Sequence, residues 1–243
     1  MSNDGVAAVE KALSLLDCFQ PGSESLSLAA LSKASGIHVT TVYRLMNSLE
    51  RMRYVVRSES GDYSLDHRLQ FLGNLYEQSV PFSTVIRPIM RDLATATSAS
   101  ASYTVLQNSH ALVLFRAEPP EGLRITRLPG DIRPLDTTAT SDVLRYWGLG
   151  EHIFANAPAL PIFKSRARDA HTAAMSVPIF GSGDKFMAAL SLSGAASSLE
   201  AAYAAGDMTA KHLAAASNLS RSLGASRALC ERIYVALNYG DDR

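Results

Sequence analysis

The sequence predicts a chain of the α+β class in two parts: a helical N-terminal domain closed by a small hairpin, then a larger domain of mixed strands and helices. Three observations predict it. Apolar residues recur at three- and four-residue steps through successive segments before Arg53, the spacing of helices with one buried face. Two short strand-like runs then flank a glycine-containing turn between Tyr54 and Leu65, which reads as a hairpin. Beyond Ala101, strand-like runs separated by turns dominate, and helical spacing returns near the end. A length of 243 residues with 47% apolar residues is enough for packed cores and excludes a disordered chain.

The first helix is expected from Val6, Val9, Leu13, Leu16 and Phe19, with Asn3 or Asp4 as caps, and "QPGSES" ends it. In "LSLAALSKASG", Ser27 is the expected N-cap, Leu28 and Leu31 point inward, and Ser35-Gly36 makes a tight turn. The third helix lies in "SGIHVTTVYRLMNSLERMRYVV", Ser35 to Val56. It sets Val42, Leu45, Leu49 and Met52 on one side and Thr40, Thr41, Tyr43, Arg44, Asn47 and Arg51 on the other. Hydroxyls, a phenol and arginines suit a ligand rich in acceptors and phosphates. The competing reading is a solvated face.

A short helix, a turn and a second amphipathic helix form a helix-turn-helix, whose second helix fits the major groove of DNA. The strands expected at Tyr54 to Arg57 and Asp62 to Leu65 add a wing. The order is that of a winged helix-turn-helix, of which DNA binding is expected ahead of protein binding. Net charge offers no global support, since the chain carries 23 basic and 23 acidic residues. From His38 to Arg57, however, Arg44, Arg51, Arg53 and Arg57 face only Glu50, and local clustering is what nucleic-acid binding requires.

"DHRLQFLGNLYEQ" then places Leu69, Leu72, Leu75 and Tyr76, with Phe71, on a helix too apolar to stand alone. Pairing with a second copy is expected, because dimers read two half-sites on duplex DNA. A further helix follows in "STVIRPIMRDLATAT", with Pro88 near its first turn. The second domain is expected to hold strands on either side of Asn108-Ser109, a third strand in "LRITRL", a short helix at Ser141 to Trp147, and a long hairpin turning at Gly181 and Gly183. Helices are expected over Asp207 to Leu223 and Ser226 to Asn238, with Leu213, Leu219, Leu223, Leu229 and Ile233 as core contacts. The expected division is 1–66 for the winged helix-turn-helix, 67–80 for the linker and dimerisation helix, and 81–243 for the second domain with its helical extension.

Several chemistries are not expected. Gly181 to Phe186 resembles a phosphate-binding loop, but strand pattern continues where a helix should begin. No G-x-S-x-G elbow supports a hydrolase, and no catalytic residue is assigned. The six histidines lack paired metal-ligand spacing, so no metal is expected, and no cofactor. Cys18 and Cys230 are expected to be buried thiols. Apolar runs fall short of the ~20 residues of a membrane span, and the first residues lack a basic flank and cleavage site, so a cytoplasmic protein is expected.

Six stretches, "AVEKALSLLDCF", "LSLAALSKASGIHVTTVYRLMNSLERMRYV", "LGNLYEQ", "IRPIMRDLA", "GDIRPLDTTA" and "VPIFGSGDKFMAALSLSG", resemble in order and spacing the IclR-type bacterial transcriptional regulators. The resemblance covers most of the chain. It implies a winged helix, a dimerising linker helix, and a C-terminal domain on a GAF-like sheet that binds small acids or related metabolites. It implies a non-enzymatic repressor or activator of neighbouring genes, working as a homodimer or a dimer of dimers on a roughly palindromic operator. Thr40, Thr41, Tyr43 and Arg44 fall at groove and backbone positions, and Asn47 and Arg51 extend that face. Asp62 stands where the family often has a base, so less contact between wing and DNA is expected.

The effector pocket implied by the resemblance would draw on Arg133, Leu135, Asp136, Thr138, Ala174, Ser191 and Ser193. Here the chain departs from the family. Asp136 and Asp142 replace a histidine and a lysine, the stretch before Val177 is short, and Ala174 sits at the usual cysteine position. Three readings stay open: a pocket for a different ligand, a pocket open to solvent, or a domain kept only for assembly. Arg124, Arg127 and Arg133 are the cations available to a carboxylate. Pairing of Arg133 with Asp136, and the charge of Asp142, lead to the expectation that simple carboxylates are not bound.

Overall fold

The computed structural model describes residues 5–20, 22–79, 82–120 and 129–235. The chain divides into two compact units, Met1–Val80 and Pro81–Arg243, and no described helix is long and apolar enough to cross a membrane.

The first unit holds α1 (Ala7–Leu16), β1 (Ser25–Leu26), α2 (Leu28–Ser35), α3 (Val39–Arg51), β2 (Val55–Arg57), β3 (Tyr63–Leu65) and α4 (His67–Ser79). α2 starts where expected: the Ser27 hydroxyl accepts the Ala30 amide at 3.2 Å. It stops at Gly36, whose φ of 70° is a left-handed position that a side chain would strain. α3 then buries Val42, Met46 and Leu49 against Leu15, Phe19, Leu31, Val55 and Tyr63. Full burial of such side chains contributes ~1.5 to 3 kcal/mol each.

Two details of this core differ from expectation. Val6, Val9 and Leu13 are exposed at 66%, 54% and 53%, while Leu15 and Phe19 are buried. α1 carries two apolar stripes, and the core takes the one through Leu15. Met52, expected inward, is 62% exposed because the helix has ended there, and Met46 occupies the core instead. Asn3 and Asp4 lie outside the described residues; Val6 stands at the N-cap and offers no side-chain cap.

The wing pairs β2 with β3, and β1 adds a third strand in the order β1-β3-β2. Its base is closed by the Asp66 amide donating to the Tyr54 carbonyl at 2.9 Å. Arg53, in left-handed backbone with φ 64°, ends α3 and lies 3.2 Å from the Asp66 carboxylate at the start of α4. At the tip, Gly61 adopts φ 92° and the Arg57 Nε donates to its carbonyl at 3.2 Å.

The second unit is a six-stranded antiparallel sheet in the order β6-β5-β4-β9-β8-β7. The strands are β4 (Ser100–Gln107), β5 (His110–Ala117), β6 (Ile132–Pro134), β7 (Ile162–Ser165), β8 (Thr172–Phe180) and β9 (Phe186–Ala195). Its helices are α5 (Arg87–Thr97), α6 (Ala139–Val143) with a π-helical turn after it, α7 (Ala196–Ala205), α8 (Asp207–Ser222) and α9 (Arg227–Ile233). "LRITRL" lies outside the described residues, as do Leu237 and Asn238 at the end of the C-terminal extension. β6, β7 and α7 were not expected.

Successive side chains of a strand alternate between faces, and here the alternation is chemical. Ala101, Tyr103, Leu190, Leu192, Met175 and Val177 are buried apolar residues. The residues between them, Ser100, Ser102, Ser191, Ser193, Ala174 and Ser176, are small or hydroxylated. α5 and α8 pack on each other and on the sheet, as do α6 and α7. Leu229 and Cys230 of α9 pack against Phe180, with Trp147, Phe186 and Ile233 around them. The extension is therefore pinned to its own domain, and Asp184 adds bonds from the Ser226 amide and hydroxyl at 2.6 and 2.7 Å.

Candidate nucleic-acid interface and ligand cavity

Because α3 buries Val42, Met46 and Leu49, its opposite face must turn outward. Thr40, Tyr43, Arg44, Asn47 and Arg51 are exposed there, and Thr41 is half-buried. The His38 Nδ1 and Thr40 Oγ1 lie 2.9 Å apart at the helix start. The arginines of the cluster divide into two kinds. Arg53 is committed to Asp66, and Arg57 to the Gly61 carbonyl and the Tyr63 ring, 5.5 Å away. Arg44 and Arg51 have no ion pair or side-chain hydrogen bond among the described residues. Two unspent guanidinium groups beside a phenol and an amide can meet phosphate oxygens and base edges. The wing tip is occupied internally: Ser58 bonds the Asp62 backbone and the Ser60 hydroxyl.

α4 leaves Phe71, Leu75 and Tyr76 exposed and Leu69 and Leu72 half-buried. An exposed apolar stripe on a helix is a surface suited to covering by another chain.

In the second unit, strand register assembles a polar floor. Arg116 of β5 lies opposite Ser102 of β4, Ser102 opposite Ser191 of β9, and Ser191 opposite Ser176 of β8. Two residues along, Ser193 lies opposite both Ser100 and Ala174, and Ala174 opposite Lys164 of β7. The Ser191 hydroxyl lies 2.8 Å from Thr140 of α6 and 2.8 Å from Ser176. Between this floor and α6 is a cavity of ≈ 70 Å³. Thr138, Ala174, Ser191 and Ser193 line it, whereas Arg133 and Asp136 line a smaller neighbouring cavity that also reaches Thr138. Leu135 lines neither; its carbonyl accepts Arg145 at 3.0 Å.

Arg116 is the lining residue that the sequence reading missed. Its side chain is 3% exposed, its Nε donates to Glu118, and Glu118 accepts the Ser100 hydroxyl at 2.5 Å. Its two terminal nitrogens are buried without a hydrogen-bond partner. The signal was the alternation in "ALVLFRAE", but only the register with β4 shows where that face leads.

The expected pairing of Asp136 with Arg133 does not occur. Arg133 pairs with Asp131 at 3.1 Å, and Asp136 with Arg168 at 2.6 Å. Burial pushes the Asp136 carboxyl up, but hydrogen bonds from the Thr138 and Ser141 hydroxyls outweigh it and hold the group below its usual range. Asp142, buried on α6, pairs with Lys164 at 2.6 Å. Both new acids are thus matched by cations on or beside β7, which removes the premise for anion exclusion. Arg124 and Arg127 lie outside the described residues. Cys230 is buried and Cys18 half-buried, both unpaired, and burial raises both thiols. Among the described residues no group of histidine, cysteine and acid side chains is placed to hold a metal.

Residues 8–59 match the family model of the IclR helix-turn-helix domain. The chain is 24% identical over 151 residues to the DNA-binding transcriptional repressor YiaJ of Escherichia coli, covering 61% of this chain and 54% of that protein. It is 27% identical over 127 residues to the HTH-type transcriptional regulator KipR of Bacillus subtilis, covering 52% and 50%. It thus spans about half the length of these curated relatives, which are named as regulators and not as enzymes. The fold is that of the crystal structure of an IclR family transcriptional regulator from Brucella abortus, with a TM-score of 0.73, 18% identity, and coverage of 91% of this chain and 94% of that one.

Proposed function

We propose, for a chain that belongs to the IclR-type transcriptional regulators, that it binds duplex DNA through the outer face of α3 and regulates transcription as a homodimer. The observation that carries this is the division among the arginines. Arg53 and Arg57 are spent on holding the domain together, and Arg44 and Arg51 are left on the face that the fold turns outward. Thr40, Thr41, Tyr43 and Asn47 supply hydroxyl and amide groups around them. Arg44 is the bidentate group of the set, to phosphate or to a guanine edge.

Dimerisation through Leu69, Leu72, Leu75 and Tyr76 would place two α3 helices on a roughly palindromic operator. A dimer of dimers through the second unit, control of a catabolic operon and response to a small metabolite in the β-sheet cavity complete the reading. Gel retardation with the DNA upstream of the chain's own gene, at low salt, tests it. Retardation that declines steeply with salt supports the reading. Absence of retardation at low salt overturns it in favour of a winged-helix module that binds protein.

A further inference from the structure

The cavity beside α6 has an unmet demand of one sign. Glu118 is bonded by Arg116 and Ser100, Asp136 by Arg168 and two hydroxyls, and Asp142 by Lys164. Asp169, at the rim, accepts the His171 amide and the Thr172 hydroxyl at 2.9 and 2.6 Å. Every carboxylate around the cavity is therefore already satisfied. The buried groups left without partners are the two terminal nitrogens of Arg116. A guanidinium held by its Nε, with both ends free, presents the fork that a carboxylate fits in bidentate fashion. Leaving such donors buried and unmet is costly, so the site favours a molecule that brings acceptors.

The rest of the lining limits what that molecule can be. Sites for aromatic or aliphatic ligands are walled mainly by large apolar side chains. Here Ser102, Thr140, Ser191 and Ser193 supply hydroxyls, alanines supply the remaining small surface, and no aromatic residue takes part. We propose that this cavity binds a compact, hydroxylated, non-aromatic carboxylic acid, with its carboxylate on Arg116 and its hydroxyls on the serine and threonine floor. This rests on the reading of the chain as a metabolite-responsive regulator and specifies the ligand class of that site. It reverses the expectation that Asp136 and Asp142 would turn carboxylates away, because Arg168 and Lys164 neutralise them.

Isothermal calorimetry on the full chain tests it with glycolate, D-glycerate and D-gluconate, against uncharged glycerol and aromatic benzoate. Binding of at least one hydroxy acid at millimolar concentration or below is expected, with glycerol and benzoate binding at least roughly tenfold more weakly, as loss of a charge-assisted hydrogen bond implies. Arg116→Met should abolish binding. Because that change also leaves Glu118 without its partner, Ala174→Leu, which fills the cavity and touches no charge, provides a second variant that should fold and fail to bind. No hydroxy acid binding at millimolar concentration, equal binding to Arg116→Met, or preference for benzoate would each overturn the proposal. Gel retardation on the same preparation separates the two readings. Retardation without acid binding defeats this inference alone, and acid binding without retardation defeats the DNA-binding reading alone.

Discussion

Acidification should destabilise the second unit through one residue, His212. It lies on α8 fully buried, with its Nε2 3.1 Å from the Leu190 carbonyl on β9. A carbonyl accepts, so Nε2 carries the proton and donates, and the buried Nδ1 has no hydrogen-bond partner. Burial pushes the imidazole from 6.5 down to about 4, against a smaller upward pull from Leu190. The unfolded chain therefore binds a proton that the folded chain refuses in the window between about 6.5 and about 4. Stability from this group is complete above that window and falls as pH drops through it. A displacement of that size corresponds to ~3 kcal/mol, a large part of the 5 to 15 kcal/mol typical of a folded domain, hence about a third at mid-range. Urea unfolding followed by fluorescence of Trp147, the single tryptophan, would measure it across the window. His212→Gln keeps a donor for Leu190 and cannot titrate, so its stability should stay nearly flat until carboxylates protonate. Parallel curves for the two proteins would refute the assignment.

Arg44→Ala should weaken DNA binding: a phosphate contact predicts loss for all sequences and a salt slope lower by about one, and a guanine contact predicts a cost of ~1 to 3 kcal/mol with relaxed specificity. Fluorescence anisotropy over a salt series reads both, and unchanged binding would contradict either. Leu75→Glu, on the exposed stripe of α4, should shift sedimentation towards monomer at micromolar concentration without DNA; an unaltered dimer would move the interface elsewhere. Ser27→Ala removes the cap of α2 and should lower the stability of the first unit by about 1 kcal/mol in chemical denaturation, whereas an unmoved midpoint would mean the cap is replaced by water.

The first unit was largely legible because its signals are local. Ser27, Gly36 and the apolar spacing of α3 each act within one turn, and the wing strands Val55–Arg57 and Tyr63–Leu65 are bounded by their own turn. Local signals failed where two satisfied the same rule. α1 offers a stripe through Val9 and Leu13 and another through Ala12, Leu15 and Phe19, and only packing against α3 selects between them. β1 is two residues long and exists through pairing with β3, which no periodicity over two residues can announce. α7 is alanine- and serine-rich and carries little amphipathic contrast. Of the cavity, Thr138, Ala174, Ser191 and Ser193 were named through family resemblance. Arg116 was not, because its role depends on register across three strands: it comes beside Ser191 only after β5 pairs with β4 and β4 with β9.

The junction of Arg53 and Asp66 makes α4 a handle on α3. The ion pair and the bond from the Asp66 amide to the Tyr54 carbonyl clamp the end of one helix to the start of the other, so the wing between them cannot act as a swivel. Torque applied along α4 turns the arginine-bearing face with it. If two α4 helices are locked together, the phase between two α3 helices is locked as well. The separation of half-sites then becomes a matter of helix geometry, in multiples of one DNA turn of about 34 Å, and a change in that geometry would act on DNA as a change of pitch, leaving the chemistry of each contact untouched.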